Sequence, residues 1–208
     1  MSNPKSKIPR PADRDGRGGQ NPKLPGGSLS VEFTSGSVEE TQLFGERLGQ
    51  LLRAGDVVAL HGELGSGKTT LIQGIAKGLG FDQERIKSPT FVLMREYPSA
   101  VPLVHVDGYR LEGAPSVASL DIELIFSKDK ITVIEWAERF TGLLPDDKFE
   151  IQLSHVSANR RRIQLKATHE RGQAIVTQLR QGFLAKRAEE AGSTGSTGQT
   201  GSTGATDT

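Results

Sequence analysis

The chain has 208 residues, a formal net charge of +1 and no cysteine. Near-neutrality gives no global attraction to nucleic acid or to an anionic membrane. The lack of cysteine rules out a disulfide framework, a thiolate zinc site and a cysteine nucleophile, in keeping with a reducing compartment. No apolar run approaches the roughly 18 residues of a spanning helix, and the N-terminus has no apolar secretory segment. The expected location is therefore cytoplasmic, with no membrane partner.

Residues 1–28 carry Lys5, Lys7, Arg10, Arg14, Arg17 and Lys23 against Asp13 and Asp15, among frequent Pro and Gly. So little apolar surface cannot offset the entropy of ordering, and a solvated basic tail is expected. Its charge allows at most weak contact with RNA. Val31 to Phe33 reads as a short strand. Ser37-Val38-Glu39-Glu40 has the capping-box spacing, and Phe44, Leu48, Leu51 and Leu52 follow on one helical face until Gly55.

Asp56 to His61 reads as a short buried strand, and it leads into Gly62-Glu63-Leu64-Gly65-Ser66-Gly67-Lys68-Thr69-Thr70, which fits G-x-x-x-x-G-K-[ST]. Leu71, Ile72, Ile75, Ala76 and Leu79 then recur at helical spacing up to Gly80. Gly62, Gly65 and Gly67 lack a Cβ, so the loop can aim successive backbone N–H groups at one point. That point lies at a helix N-terminus, which favours an anion. Lys68 can reach the β- and γ-phosphates, each charge-assisted hydrogen bond contributing about 1.5–3 kcal/mol. The Thr69 hydroxyl suits Mg²⁺. The stretch from Gly62 to Thr70 is thus the expected nucleoside-triphosphate site. The plainer alternative is a glycine-rich turn capping a core helix.

Downstream, Ser88-Pro89-Thr90 reads as a loop, because Pro89 biases Ser88 towards an extended backbone, and it feeds apolar residues from Val92 to Tyr97. Val101 to Val106 is a further short strand ending in Asp107. Residues 115–126 read weakly as a helix. Ile131 to Ile134 is the clearest buried strand, and it ends at Glu135-Trp136. Phe149 to Leu153 and Ile163 to Leu165 alternate strictly, as an antiparallel pair with one wet face does. A helix over residues 172–187 closes the folded part, and the Gly/Ser/Thr repeats beyond it are low-complexity.

A phosphate loop works with an acid at the end of a neighbouring strand, to hold Mg²⁺ or to polarise the attacking group. Asp107 and Glu135 both follow apolar runs, and in an open α/β sheet strand C-termini gather beside the loop. Each also reads as a member of a surface ion pair, Glu135 with Arg139 and Asp107 with Arg110. His105 shares the face of Asp107, either as a packed, hydrogen-bonded histidine or as a site residue. Trp136, the single tryptophan, is open between core packing and lining a cleft. Thr90 has a free hydroxyl in a loop of the kind that senses a γ-phosphate.

With these pieces in place the chain resembles the TsaE family, the small ATPases of bacterial tRNA threonylcarbamoyladenosine synthesis. The resemblance covers residues 31–168. It rests on the glycine loop, on Lys87-Ser88-Pro89-Thr90-Phe91, on His105-Val106-Asp107-Gly108-Tyr109-Arg110 and on Ile134-Glu135-Trp136-Ala137-Glu138. Gly108 departs from the family pattern, where a bulkier apolar residue is expected. The resemblance implies a P-loop NTPase-type α/β fold, with a compact, mostly parallel sheet flanked by helices and C-terminal antiparallel strands. It implies ATP and Mg²⁺ as ligands and a weak ATPase working with a threonylcarbamoyl-transferase complex of TsaD/TsaB-like subunits, tRNA being met indirectly or weakly. By the same likeness Thr69 and Glu135 hold Mg²⁺, Lys68 binds phosphate, Asp107 assists hydrolysis, and Thr90 belongs to a nucleotide-responsive loop. Thr41 and Arg162 are candidates for the nucleotide's outer contacts, the run Arg160-Arg161-Arg162 leaving the second ambiguous.

The division expected is a basic tail at 1–28, an ATPase domain at 29–188 and a Ser/Thr/Gly tail at 189–208. A small-molecule P-loop kinase is one rival, but no arginine-rich lid follows the helix at 68–79. A GTPase would carry an Asn-Lys-x-Asp guanine reader, and none is present. A non-catalytic module whose nucleotide only sets partner affinity is the third reading.

Overall fold

A computed structural model describes residues 27–111 and 120–193. Most of both expected tails, and the first half of the weak helix at 115–126, lie outside these residues. The seven strands are β1 (Leu29–Ser35), β2 (Val57–His61), β3 (Met94–Tyr97), β4 (Leu103–Asp107), β5 (Ile131–Glu135), β6 (Phe149–His155) and β7 (Arg161–Ala167). They form one sheet in the order β1-β7-β6-β2-β5-β4-β3. The central run β6-β2-β5-β4 is parallel. Antiparallel partners flank it, β7 and β1 on one side and β3 on the other. The parallel centre and the β6–β7 pair agree with the expectation. The additional antiparallel edges were not legible, since β3 has only four residues and β1 finds its partner β7 across more than a hundred residues.

The helices are α1 (Val38–Gly49), α2 (Lys68–Gly78), the single turn α3 (Ile122–Ile125) and α4 (Glu170–Ser193). β4 and β5 are buried at every position because both faces are covered, which is why they read as unbroken apolar runs. One face packs Val58, Leu60, Leu103 and Val133 against α1, α2 and α4. The other packs Ala59, Val104, Val106 and Ile134 against α3 and the 3-10 turn Ala137–Phe140. α4 begins two residues before its expected start and continues past 187, so residues 189–193, expected in the tail, are helical. It docks through Ile175, Val176, Leu179 and Phe183, with Phe183 stacked on Phe44 at 5.3 Å. Arg171 ties it to the residue before β2, its Nη1 donating to both Asp56 oxygens at 2.7 and 2.8 Å.

α1 and α2 lie unusually close. A Cβ on Gly45 or Gly49 would stand 2.4 and 2.2 Å from the carbonyl oxygens of Leu71 and Ile75. One on Gly74 or Gly78 would stand 2.1 and 2.2 Å from those of Gln42 and Glu46. Glycine at i and i+4 on both helices therefore lets backbone meet backbone, and the seam brings the start of α1 beside the start of α2. Gly49→Ala should cost about 1–3 kcal/mol through forced separation of the two helices. Urea denaturation checks it, and an unchanged midpoint would show that the seam yields freely.

Candidate nucleotide-binding site

β2 ends at the sheet centre and the chain turns through the glycine loop into α2. Gly62, Gly65 and Gly67 have φ of 142°, 75° and 103°, a region that residues with a Cβ avoid. At Gly62 a Cβ would also meet the Leu153 carbonyl oxygen at 2.4 Å and Ser66 Oγ at 2.8 Å. Ser66 Oγ is buried without a hydrogen-bond partner. Lys68 curls back over the loop, donating to the carbonyls of Gly62 and Glu63 at 2.7 and 3.0 Å. Its Nζ lies 3.9 Å from the centre of the Trp136 ring. Burial pushes the Lys68 ammonium below the usual lysine range, against the opposing pull of Glu135, Glu138 and Asp107. Leu64 is exposed at the tip of the loop, and Glu63 is exposed beside it.

The register of the parallel strands sets the acidic end. Glu135 pairs with Leu60 on one side and Asp107 on the other, so both carboxylates stand level beside the loop. They are 3 % and 2 % exposed. Thr69 Oγ1 lies 2.9 and 3.1 Å from the Glu135 oxygens. His105 Nε2 reaches Glu135 Oε1 at 3.0 Å. Asp107 Oδ2 accepts from Ser88 Oγ and, at 2.5 Å, from Thr90 Oγ1, while Oδ1 accepts from the Tyr109 N–H at 2.9 Å. Neither carboxylate pairs with Arg139 or Arg110; Arg110 instead lies over the Phe91 ring at 4.3 Å. Trp136 follows Glu135 in a left-handed conformation, φ 57°, an uncommon state for a bulky residue that marks functional turns. Its ring meets Tyr109 at 5.2 Å and lines the cleft. The departure at Gly108 has a local cause: a Cβ there would lie 2.9 Å from both Phe140 and the Trp136 carbonyl.

A cavity of about 510 Å³ lies against Gly62 and Glu63, and two more meet at Gly65 and Gly67. One of about 420 Å³ is lined by Lys68, Thr69, Thr90, Asp107, Glu135 and Trp136 among others. The second, about 350 Å³, is lined by Ser37, Thr41, Thr70, Asn159 and Arg161. Both share Gly65, Gly67 and Thr70. Thr41, a candidate for the nucleotide's outer contacts, is at the second cavity, its hydroxyl 2.7 Å from Ser35 Oγ. Arg162 is not. It faces the opposite side of β7 and pairs with Glu32 at 3.3 Å, whereas Arg161, one residue earlier, turns its side chain to the cavity. Strand alternation decides this: Arg161 shares the face of buried Ile163 and Leu165. Ser88, Ser37, Asn159 and Arg161 were not assigned to the site from sequence. For Ser88 the signal was present, in its spacing from Thr90.

A glycine loop between a central parallel strand and its helix, with two acids at adjacent strand ends, defines a P-loop NTPase fold. Over residues 35–163 the chain matches the family model for threonylcarbamoyl adenosine biosynthesis protein TsaE, and it belongs to the TsaE family. It is 46 % identical over 113 residues to the TsaE protein of Streptomyces coelicolor, covering 52 % of this chain and 75 % of that one. To the Bacillus subtilis TsaE protein it is 32 % identical over 142 residues, 68 % and 88 % of the two chains. The crystal structure of Bacillus subtilis YdiB superposes with a TM-score of 0.63 at 27 % identity, covering 74 % of this chain and 97 % of that one. Among the described residues no helix is long and apolar enough to cross a membrane.

Proposed function

We propose that this chain is the ATP-binding and -hydrolysing component of the tRNA threonylcarbamoyladenosine modification machinery. In this reading it is a Mg²⁺-dependent ATPase, weak alone, that works in the cytoplasm with a transferase complex of TsaD/TsaB-like subunits. The observation that carries the reading is the pair of cavities meeting across one glycine loop. The cavity with Lys68 and the acids suits a triphosphate, and the one with Thr41 and Arg161 leaves room for the nucleoside.

The residues fit Mg²⁺. Thr69 and Glu135 bring a hydroxyl and a carboxylate together, and Mg²⁺ prefers oxygen ligands from one or two side chains completed by water and phosphate. When bound, the cation would neutralise charge on the phosphate oxygens. Lys68 would exchange its two loop carbonyls for phosphate oxygens, and the loop N–H groups would complete the cradle. Asp107 would orient a water and accept its proton as the water oxygen attacks the γ-phosphorus and the bond to the bridging oxygen breaks. Ser88 and Thr90 fix the Asp107 carboxylate and tie the loop that carries them to the phosphate end.

Leu64, Phe91, Val92 and Tyr109 are 72 %, 83 %, 58 % and 44 % exposed; Leu64 and Tyr109 line the acidic cavity, and Phe91 and Val92 directly follow its lining residue Thr90. An apolar rim of this kind supports a protein partner that closes over the nucleotide, with tRNA met indirectly or weakly. The test is phosphate release with and without the transferase complex, together with co-purification of its subunits. Slow release alone and faster release with the complex are expected. Nucleotide-dependent association with no hydrolysis in either case would make the chain a binding module instead.

A further inference from the structure

His105 is wholly buried in the middle of β4 at 0 % exposure, and the hydrolytic roles above make no use of it. Its Nε2 contacts Glu135 Oε1 at 3.0 Å, and its Nδ1 is buried with no partner among the described residues. An ionised carboxylate only accepts hydrogen bonds, and a neutral imidazole carries one proton on one of its two nitrogens. With the proton on Nδ1, a buried donor would be orphaned and two acceptors would face each other across the contact. With the proton on Nε2, the carboxylate gains a donor and only a bare acceptor nitrogen is left unpaired. The contact therefore favours a proton on Nε2, donated to Glu135 Oε1.

Glu135 has two side-chain donors: this imidazole and the Thr69 hydroxyl, which lies against both of its oxygens. Thr69 is itself a proposed cation ligand, so its oxygen has a second task. His105 does not, and it lies behind the carboxylate in the sheet. We propose that His105 is a positioning residue for Mg²⁺: as Nε2–H donor to Oε1 it holds the Glu135 carboxylate against Thr69 in the arrangement that accepts the cation. This rests on the Mg²⁺ reading given above. Histidine–carboxylate contacts one step removed from a metal act in this way elsewhere, and their loss typically costs about 10–100-fold in metal affinity.

The test is a Mg²⁺ titration of the ATP-loaded chain, followed by the fluorescence of Trp136 beside Lys68. His105→Leu retains buried bulk but removes the donor, and should need about 10–100-fold more Mg²⁺ for half its effect. Its affinity for ATP without Mg²⁺ should match that of the native chain. His105→Gln, whose amide nitrogen can take the place of Nε2, should recover most of the loss. Identical Mg²⁺ dependence in the native and Leu chains, or no recovery with Gln, overturns the proposal. The ¹⁵N spectrum of the native imidazole decides independently of any variant's folding: Nε2–H is expected, and Nδ1–H overturns it. A native chain that binds ATP with no Mg²⁺ dependence would overturn the Mg²⁺ reading itself, which separates the two failures.

Discussion

Asp107→Asn is expected to bind Mg²⁺–ATP nearly as tightly as the native chain and to hydrolyse it about 10²–10⁴-fold more slowly. The carboxylate is held at both oxygens, by Ser88 and Thr90 on one side and the Tyr109 N–H on the other. Asparagine preserves the shape and one acceptor but cannot take up a proton. A group that only orients or deprotonates water acts in the transition state, so its loss leaves ground-state binding intact. Single-turnover phosphate release, set against calorimetric affinity, separates the two effects. If affinity for Mg²⁺–ATP falls together with turnover, Asp107 is a metal ligand and its role has been confused with that of Glu135.

Lys68→Ala should remain folded while losing most of its ATP affinity and all measurable hydrolysis. Among the described residues lining the acidic cavity Lys68 is the only cation, so none of these neighbours can replace its charge on the phosphates. Folding does not depend on it. Burial lowers the pKa of Lys68 in the folded chain, so the unfolded chain binds more protons in the interval between the folded and unfolded values. Stability therefore rises with pH across that interval, and below it the buried ammonium opposes folding in full. Removing the charge should accordingly leave the melting temperature at neutral pH unchanged or raised, after allowance for the lost methylene packing on Trp136. Calorimetric titration with ATP and a thermal melt check both halves. Native-like affinity would show that the loop does not grip phosphate through this residue.

What was legible in the sequence followed from local rules. The glycine loop announces itself because its backbone forbids side chains at fixed spacing, and the central strands do so because burial on both faces removes polar residues. Asp107 and Glu135 could be paired because each ends such a strand and parallel strands finish level. What was not legible depends on which strands become neighbours. β1 pairs with β7 across more than a hundred residues, from Leu29 with Ala167 to Ser35 with Arg161, and that register brings Arg161 beside the start of α1 and the second cavity. Alternation with Ile163 and Leu165 puts Arg161 and Arg162 on opposite faces, but which face meets the cavity follows only from that pairing. The glycine seam between α1 and α2 was missed for a related reason. Each helix taken alone shows two small residues four apart, and only their contact reveals the backbone approach that sets Thr41 beside Thr70. The contact between His105 and Glu135 likewise joins two strands, so period-two alternation could place the histidine on a face but not against its partner.

The acidic end of this cleft is proposed as a Mg²⁺ site for bound ATP, built by Thr69 and Glu135. Calorimetric titration of ATP into the native chain and into Glu135→Ala, each with and without Mg²⁺, tests it most directly. Tighter binding with Mg²⁺ is expected for the native chain, with loss of that gain in the variant at ordinary Mg²⁺ and partial recovery at high Mg²⁺. A variant that keeps the full Mg²⁺ dependence, or a native chain that shows none, would contradict it.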